Sequence, residues 1–122
     1  MPEEIWEELF AISSDIRYVA LRIGDDLKLK QRPAIARASS SESDRYEELL
    51  VNPALLTLAE QRGRIDCGGL EFLVIRYGAF FQLLHAVKGG HVSIAVEPTG
   101  DPLGLVGRVR GILRARGLWP VA

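Results

Sequence analysis

The stretch LEFLVIRYGAFFQLLHAVKGGHVSIAV, residues 70–96, most constrains the fold. Three apolar-rich runs follow one another, and glycines punctuate the joins. Tyr77-Gly78 and Gly89-Gly90 read as two-residue hairpin turns, where glycine supplies a positive φ. These registers put Leu70, Phe72, Val74, Phe81, Leu83, His85, Val87, Val92, Ile94 and Val96 on one face. Glu71, Leu73, Ile75, Phe80, Gln82, Leu84, Ser93, Ala95 and Glu97 share the other. The first face is apolar apart from His85, and the second is mixed. Both need cover, the second in part. The competing reading of the glycines is a phosphate-binding loop. That reading requires a helix after the glycines, whose N–H groups meet the anion, and a Lys-Ser or Lys-Thr pair. Here a strand follows Gly90 and no such pair is present.

The flanking segments supply the cover. Pro2 suits a first helical turn, and Glu3 and Glu4 complement the helix dipole. Ile5, Leu9 and Ile12 then share a face, and Ser13 and Ser14 end the helix. In RYVALRI, Val19, Leu21 and Ile23 alternate with Tyr18, Ala20 and Arg22. A three-residue turn, Gly24-Asp25-Asp26, sets Ile23 opposite Leu27 and Leu21 opposite Leu29. Lys28, Lys30 and Arg32 mark that second strand as a guarded edge, and Pro33 stops it. Residues 34–43, AIARASSSES, read as a loop. Their serines are loop residues first and phosphorylation candidates second. Asp44 and Glu47 form a helix-start pattern, followed by Tyr46, Leu49 and Leu50. Asn52-Pro53 interrupts the helix, and Asn52 is placed to cap a segment carrying Leu55, Leu56, Leu58 and Ala59. A kinked helix and two helices both fit. Gly63 is a stop. In the last helix Asp101 is an N-cap and Pro102 a first residue. Leu105, Val106, Val109, Ile112 and Leu113 make its apolar stripe, Gly117 ends it, and Trp119 packs on the body. Gly104, Gly107, Gly111 and Ala115 form a second, small-residue stripe, read as close packing on the sheet or first helix, with a partner surface as the alternative.

Composition excludes several function classes. Fifteen Lys and Arg against sixteen Asp and Glu leave a net charge of −1, so nothing drives the chain toward nucleic acid or an anionic membrane. Arg108, Arg110, Arg114 and Arg116 therefore read as a solvated face. No signal peptide opens the sequence, and no apolar run reaches the roughly 20 residues of a membrane span. One cysteine forms no internal disulfide, which points to a cytoplasmic setting. A catalytic Cys67 requires a base within reach, but His85 and His91 fall on opposite faces, so no catalytic residue, metal site or cofactor is expected. His85 on the apolar face requires a partner. A satisfied core histidine is the first reading and a ligand-sensing role the second.

The order helix, two strands, helix, three strands, helix spans the whole chain. With EEIWEELFAI, RYVALRIGDDLKL, LLTLAEQRG, LEFLVIRYGAFFQLLHA and LGLVGRVRGIL in those places, residues 1–122 resemble a single domain of the Roadblock (dynein light chain) family. The resemblance implies a profilin-like α+β fold, with a five-stranded antiparallel sheet in order 2-1-5-4-3 between helices (αββαβββα). The first and last helices cover one face and the middle helix the other. It also implies a non-catalytic homodimer that regulates or scaffolds a Ras-like small GTPase, with GTPase activation possible. Its pairing surface is the third strand and middle helix, here Leu55, Leu56, Leu58, Leu70, Phe72 and Val74. Glu60, Gln61 and Arg62 are the expected partner surface. The residues add their own argument: the third strand, GGLEFLVI, is an edge with one charge, and an unguarded apolar edge calls for a partner. The alternative function is a small-molecule sensor or interaction module with a ligand site beside the sheet near His85.

Overall fold

A computed structural model describes residues 2–32 and 41–119. Helix α1 (Pro2–Ile12) leads into β1 (Ile16–Ile23) and β2 (Asp26–Gln31). A middle helical run follows, made of α2 (Ser41–Tyr46), a π-helical turn (Glu47–Val51) and α3 (Asn52–Asp66). Then come β3 (Leu73–Arg76), β4 (Phe81–Val87), β5 (Gly90–Val96) and α4 (Pro102–Ala115). The five strands form one antiparallel sheet in the expected order, β2-β1-β5-β4-β3.

The main core lies between the sheet and the α1–α4 pair. Ile5, Trp6 and Leu9 of α1 meet Leu105, Val109 and Leu113 of α4 over Val19, Leu83, Val92 and Ile94. Full burial of side chains like Leu9 and Leu113 contributes about 1.5–3 kcal/mol each. Arg32 ties the sheet edge to the end of α1. Its guanidinium donates to the carbonyls of Phe10, Ser13 and Ile16 at 2.8–3.1 Å.

Several local expectations change. The β1–β2 turn has two residues, Gly24-Asp25, because Ile23 pairs with Asp26 and Ala20 with Leu29. Gly24 supplies the positive φ of 59°. That one-residue shift turns Leu27 and Leu29 to the second face, where they pack with Tyr18, Ala20 and Ala95. The β3–β4 connection spans Tyr77 to Phe80, closed by Tyr77 N–H donating to Phe80 O at 2.9 Å. The β4–β5 turn is Lys88-Gly89, with Gly89 at φ 80°. Both hairpins are displaced by two residues from the expected register, so every side chain keeps its face. Gly90 is inside β5 for steric reasons: a Cβ there would lie 1.6 Å from the Arg22 carbonyl oxygen.

Residues 41–43, expected as loop, open α2, and Asp44 lies buried inside it; residues 33–40, with Ser39 and Ser40, lie outside the described residues. Asn52-Pro53 does not break the helix. The π-helical turn absorbs the proline, with Asn52 N–H donating five residues back to Glu47 O, and Asn52 does not cap. Gly63 is no stop. It is buried where a Cβ would sit 3.0 Å from the Gly69 backbone, and the helix runs on to Asp66. Asp101 holds the N-cap position of α4 without a side-chain capping bond. Gly107 and Gly111 are exposed, with open space where a Cβ would stand, so the small-residue stripe packs on neither sheet nor α1.

Gly90→Ala is therefore expected to cost about 2–4 kcal/mol by overpacking against backbone. Gly111→Ala gains about 0.5–1 kcal/mol from helix propensity. Urea midpoints of the two variants check this pair of opposite signs.

Candidate functional site

The middle helical run presents two unlike faces. Outward, Leu50, Leu58 and Ile65 are 59%, 65% and 75% exposed. Leu55 is also exposed, as is Val74 on edge strand β3. Exposed apolar side chains gathered on one helix mark an interaction surface, whereas Val74, paired with Leu83 of the main core, stands on the α1–α4 side of the sheet. Leu56 faces inward and is buried. Phe72, just before β3, packs on the main core, and Leu70 is half-buried. Glu60, Gln61 and Arg62 lie on α3. Glu60 pairs with Arg64 at 3.1 Å and Arg62 with Asp66 at 2.6 Å, both i,i+4 helix pairs.

Inward, the run buries a carboxylate. Glu48 sits in the π-helical turn with no solvent exposure. The Tyr18 hydroxyl donates to its Oε2. Asn52 Nδ2 donates to its Oε1 at 2.9 Å, and His91 Nε2 lies 2.8 Å from the same oxygen. Gln82 Nε2 is 3.5 Å from Oε2 and also donates to Ser93 Oγ. Tyr18, Gln82, His91 and Ser93 all stand on the second face of the sheet. A buried charge is tolerated where hydrogen bonds replace its water shell. Burial first, then the neighbouring Glu48 charge, pushes the Tyr18 phenol far up, so it remains a donor.

Two recesses adjoin this network, one at the start of the helical run and one along α3. One, of about 220 Å³, includes Tyr18, Gln82, Glu47, Tyr77 and Phe80 in its walls. The other, of about 310 Å³, includes His91, Arg22, Thr57 and Glu60. Glu47 is half-buried and accepts from the Tyr77 hydroxyl at 3.0 and 3.2 Å. Its carboxyl is raised above the ordinary range, chiefly by burial and further by Glu48 and Asp44, against the lowering pull of Tyr77. The Tyr77 phenol is pushed up to about 12, by burial first and then by Glu47.

The two histidines take the opposite faces expected, but their fortunes are reversed. His91 is the hydrogen-bonded one. His85 is fully buried, and neither ring nitrogen has a hydrogen-bond partner among the described residues. Its ring lies 6.0 Å from those of Phe72 and Trp119. The walls of the two recesses do not include it. Burial first, then Arg110, pulls its pKa down to about 4, so the imidazole is neutral at pH 7. The expected satisfied core histidine is thus an unsatisfied one. Cys67 is exposed, with its thiol 3.4 Å from Asp66 Oδ1. Arg110 pairs with Glu71 and covers Trp119, while Arg116 pairs with Glu8. Among the described residues no cluster of three or more His, Cys, Asp or Glu is arranged to hold a metal, and no helix is long and apolar enough to cross a membrane.

No family model matches the chain, and no curated protein matches it by sequence. Among solved structures it is similar to the gliding protein MglB from Thermus thermophilus, with a TM-score of 0.61. The match covers 93% of this chain and 88% of that one, at 16% identity. The Roadblock resemblance holds at the level of fold. At that identity the likeness speaks to architecture and leaves individual residues to be argued from their own geometry.

Glu48→Gln is expected to lose about 2–4 kcal/mol, because one amide oxygen cannot replace both carboxylate oxygens among buried donors. Leu103→Ala, at an exposed position of α4, stays within about 0.5 kcal/mol as a surface change. Urea denaturation measures both. His85 generates a pH prediction of definite sign. Its folded pKa of about 4 lies below the roughly 6.5 of an unfolded chain. The unfolded state therefore binds the proton first, and stability falls as pH drops from about 6.5 toward 4, by up to about 3 kcal/mol. In His85→Leu that part of the acid dependence disappears, seen as a flatter plot of urea midpoint against pH.

Proposed function

We propose that the chain is a non-catalytic homodimeric regulator or scaffold of a Ras-like small GTPase. The single observation that carries this reading is the apolar outer face of the middle helical run beside edge strand β3. Leu50, Leu55, Leu58 and Ile65 are exposed on the helical run, and Val74 is exposed on the opposite side of edge strand β3, on a chain whose other sheet edge carries lysines. Burying such a patch against its own copy removes apolar area from water and pairs the free edge. The fold likeness to MglB and the Roadblock resemblance support the same reading. Leu55, Leu58 and Val74 are the seam. Leu56 and Phe72 hold that seam in place from beneath, and Leu70 lies at its margin. Glu60, Gln61 and Arg62, at the ridge beside the seam, face the GTPase.

The same residues argue for regulation without chemistry on this chain. Cys67 is exposed while both histidines are buried, so no thiol–imidazole pair is formed. Arg62 is held by Asp66, and stimulation of a GTPase would come from ordering its switch segments. The cytoplasm is the compartment where such a partner is met.

The test is affinity capture from the native lysate, run in parallel with GDP and with a non-hydrolysable GTP analogue. A small GTPase retained in one nucleotide state is the expected result, and no GTPase in either overturns the reading. Leu58→Glu and Val74→Lys place charge on the exposed seam rather than in the core. Each is expected to convert a dimeric mass to a monomeric one in sedimentation at tens of micromolar. A monomeric mass for the unmodified chain at that concentration overturns the dimer.

A further inference from the structure

We propose that the recess between α3 and the turn end of the sheet binds a small aliphatic carboxylate that carries a hydroxyl beside its carboxyl group. Strand pairing builds the floor of this site. Arg22 of β1 pairs with His91 of β5, and His91 pairs with Ala86 of β4. Directly paired residues stand about 4.5–5.5 Å apart at Cβ, so the three side chains form one row on the second face. Pro53, Leu56, Thr57 and Glu60 of α3 wall the recess above that row. Gly24 and Gly89, both at positive φ, close its end without side chains. The recess holds about 310 Å³, and a cavity of about 150 Å³ suffices for benzene. A four-carbon acid fits that space.

Arg22 selects the carboxylate. Its Nε donates to the Gly24 carbonyl at 3.1 Å. Its two terminal nitrogens have no hydrogen-bond partner, and it joins no ion pair among the described residues. A guanidinium held in this way offers a fork that matches the two oxygens of a carboxylate. Glu60, the acidic residue among the described walls, is matched by Arg64 at 3.1 Å. Glu48, behind His91, is already bonded by Tyr18, Asn52 and His91. The selection therefore rests on a free fork rather than on the net field of the region. His91 adds the second requirement. It is 3% exposed and lines the recess. Its Nε2 is committed to Glu48 at 2.8 Å, and Nδ1 has no hydrogen bond among the described residues. With Nε2–H donating to Glu48, Nδ1 is an acceptor without a donor, and leaving it so inside the protein is costly. A ligand hydroxyl supplies that donor. Because Arg22 and His91 are direct cross-strand neighbours, the hydroxyl and carboxyl belong on adjacent carbons. The aliphatic remainder lies against Leu56 and Ala86. The inference does not depend on the GTPase reading, since its readouts are made on the chain alone.

The experiment is a titration of the isotope-labelled chain followed by two-dimensional NMR. The probes are 2-hydroxybutyrate, butyrate, butanamide as the neutral isostere, n-butylammonium and inorganic phosphate. Saturable shifts at Thr57, Ala86 and Gly89 are expected with both acids, and 2-hydroxybutyrate binds about threefold tighter or more. The hydroxy acid moves the His91 Nδ1 resonance, which butyrate leaves in place. Butanamide is about tenfold weaker than butyrate or more. Arg22→Gln is expected to weaken both acids about tenfold or more while leaving butanamide unchanged. Ala86→Leu, which keeps every charge and polar group, weakens all three. Equal binding of butyrate and butanamide, or of the two acids, overturns the proposal. So does butylammonium or phosphate binding as tightly as butyrate, no effect of Arg22→Gln in a folded variant, or no saturable shift at tens of millimolar.

Discussion

A carboxylate sealed from solvent holds the middle helical run to the sheet. Glu48 takes hydrogen bonds from Tyr18 on β1, His91 on β5 and Asn52 on α3, with Gln82 of β4 close by. Stripped of any one donor, a buried charge loses stabilisation worth several kcal/mol. Three strands and one helix are therefore located against a single side chain. Buried apolar side chains on this face are few, Leu56, Leu84 and the small Tyr18–Ala20–Ala95 group, with Leu27, Leu29 and Phe80 packed against that group. Such contacts tolerate sliding, whereas hydrogen bonds to a fixed carboxylate do not. The rotation of the run, and with it the choice of which leucines face outward, follows from that one anchor.

The π-helical turn is what makes the anchor possible. Pro53 has no N–H to give, and an ordinary helix would leave a carbonyl one turn back without its bond. Widening the preceding turn by one residue moves the bonding to the five-residue spacing seen between Asn52 and Glu47. The same widening carries Glu48 inward. A local defect and a buried charge thus share one cause, consistent with the enrichment of such turns at working parts of proteins.

The large-scale pattern was legible because it rests on periodicity. Alternation placed the faces of β3, β4 and β5 even where the turns were misjudged, since a shift of two residues preserves side. At β1–β2 the shift was one, and Leu27 and Leu29 changed faces. The stripe of α4 was read in full. The network was not, because Glu48 sits in a sequence, EELL, that fits a solvated helix equally well. Only the recurrence of polar residues on one face of central strands hinted at it: Gln82, Ser93 and His91, joined by Tyr18. Glu48, the partner that Tyr18, Gln82 and His91 share, lies 30, 34 and 43 residues from them, beyond the reach of local pattern. His85 failed for a related reason. A need for a partner can be inferred from burial, but its absence is visible only in three dimensions.

The two edges of the sheet differ in kind, and that difference limits growth. β2 presents Lys28 and Lys30 to solvent, while β3 presents Val74. Strand addition at the lysine edge forces like charges together; at β3 it meets no such barrier. A sheet built this way can be lengthened once, by a copy of itself about a two-fold axis, and then ends in lysine edges on both sides. Propagation into a fibre has no further template, so the chain carries its own stop.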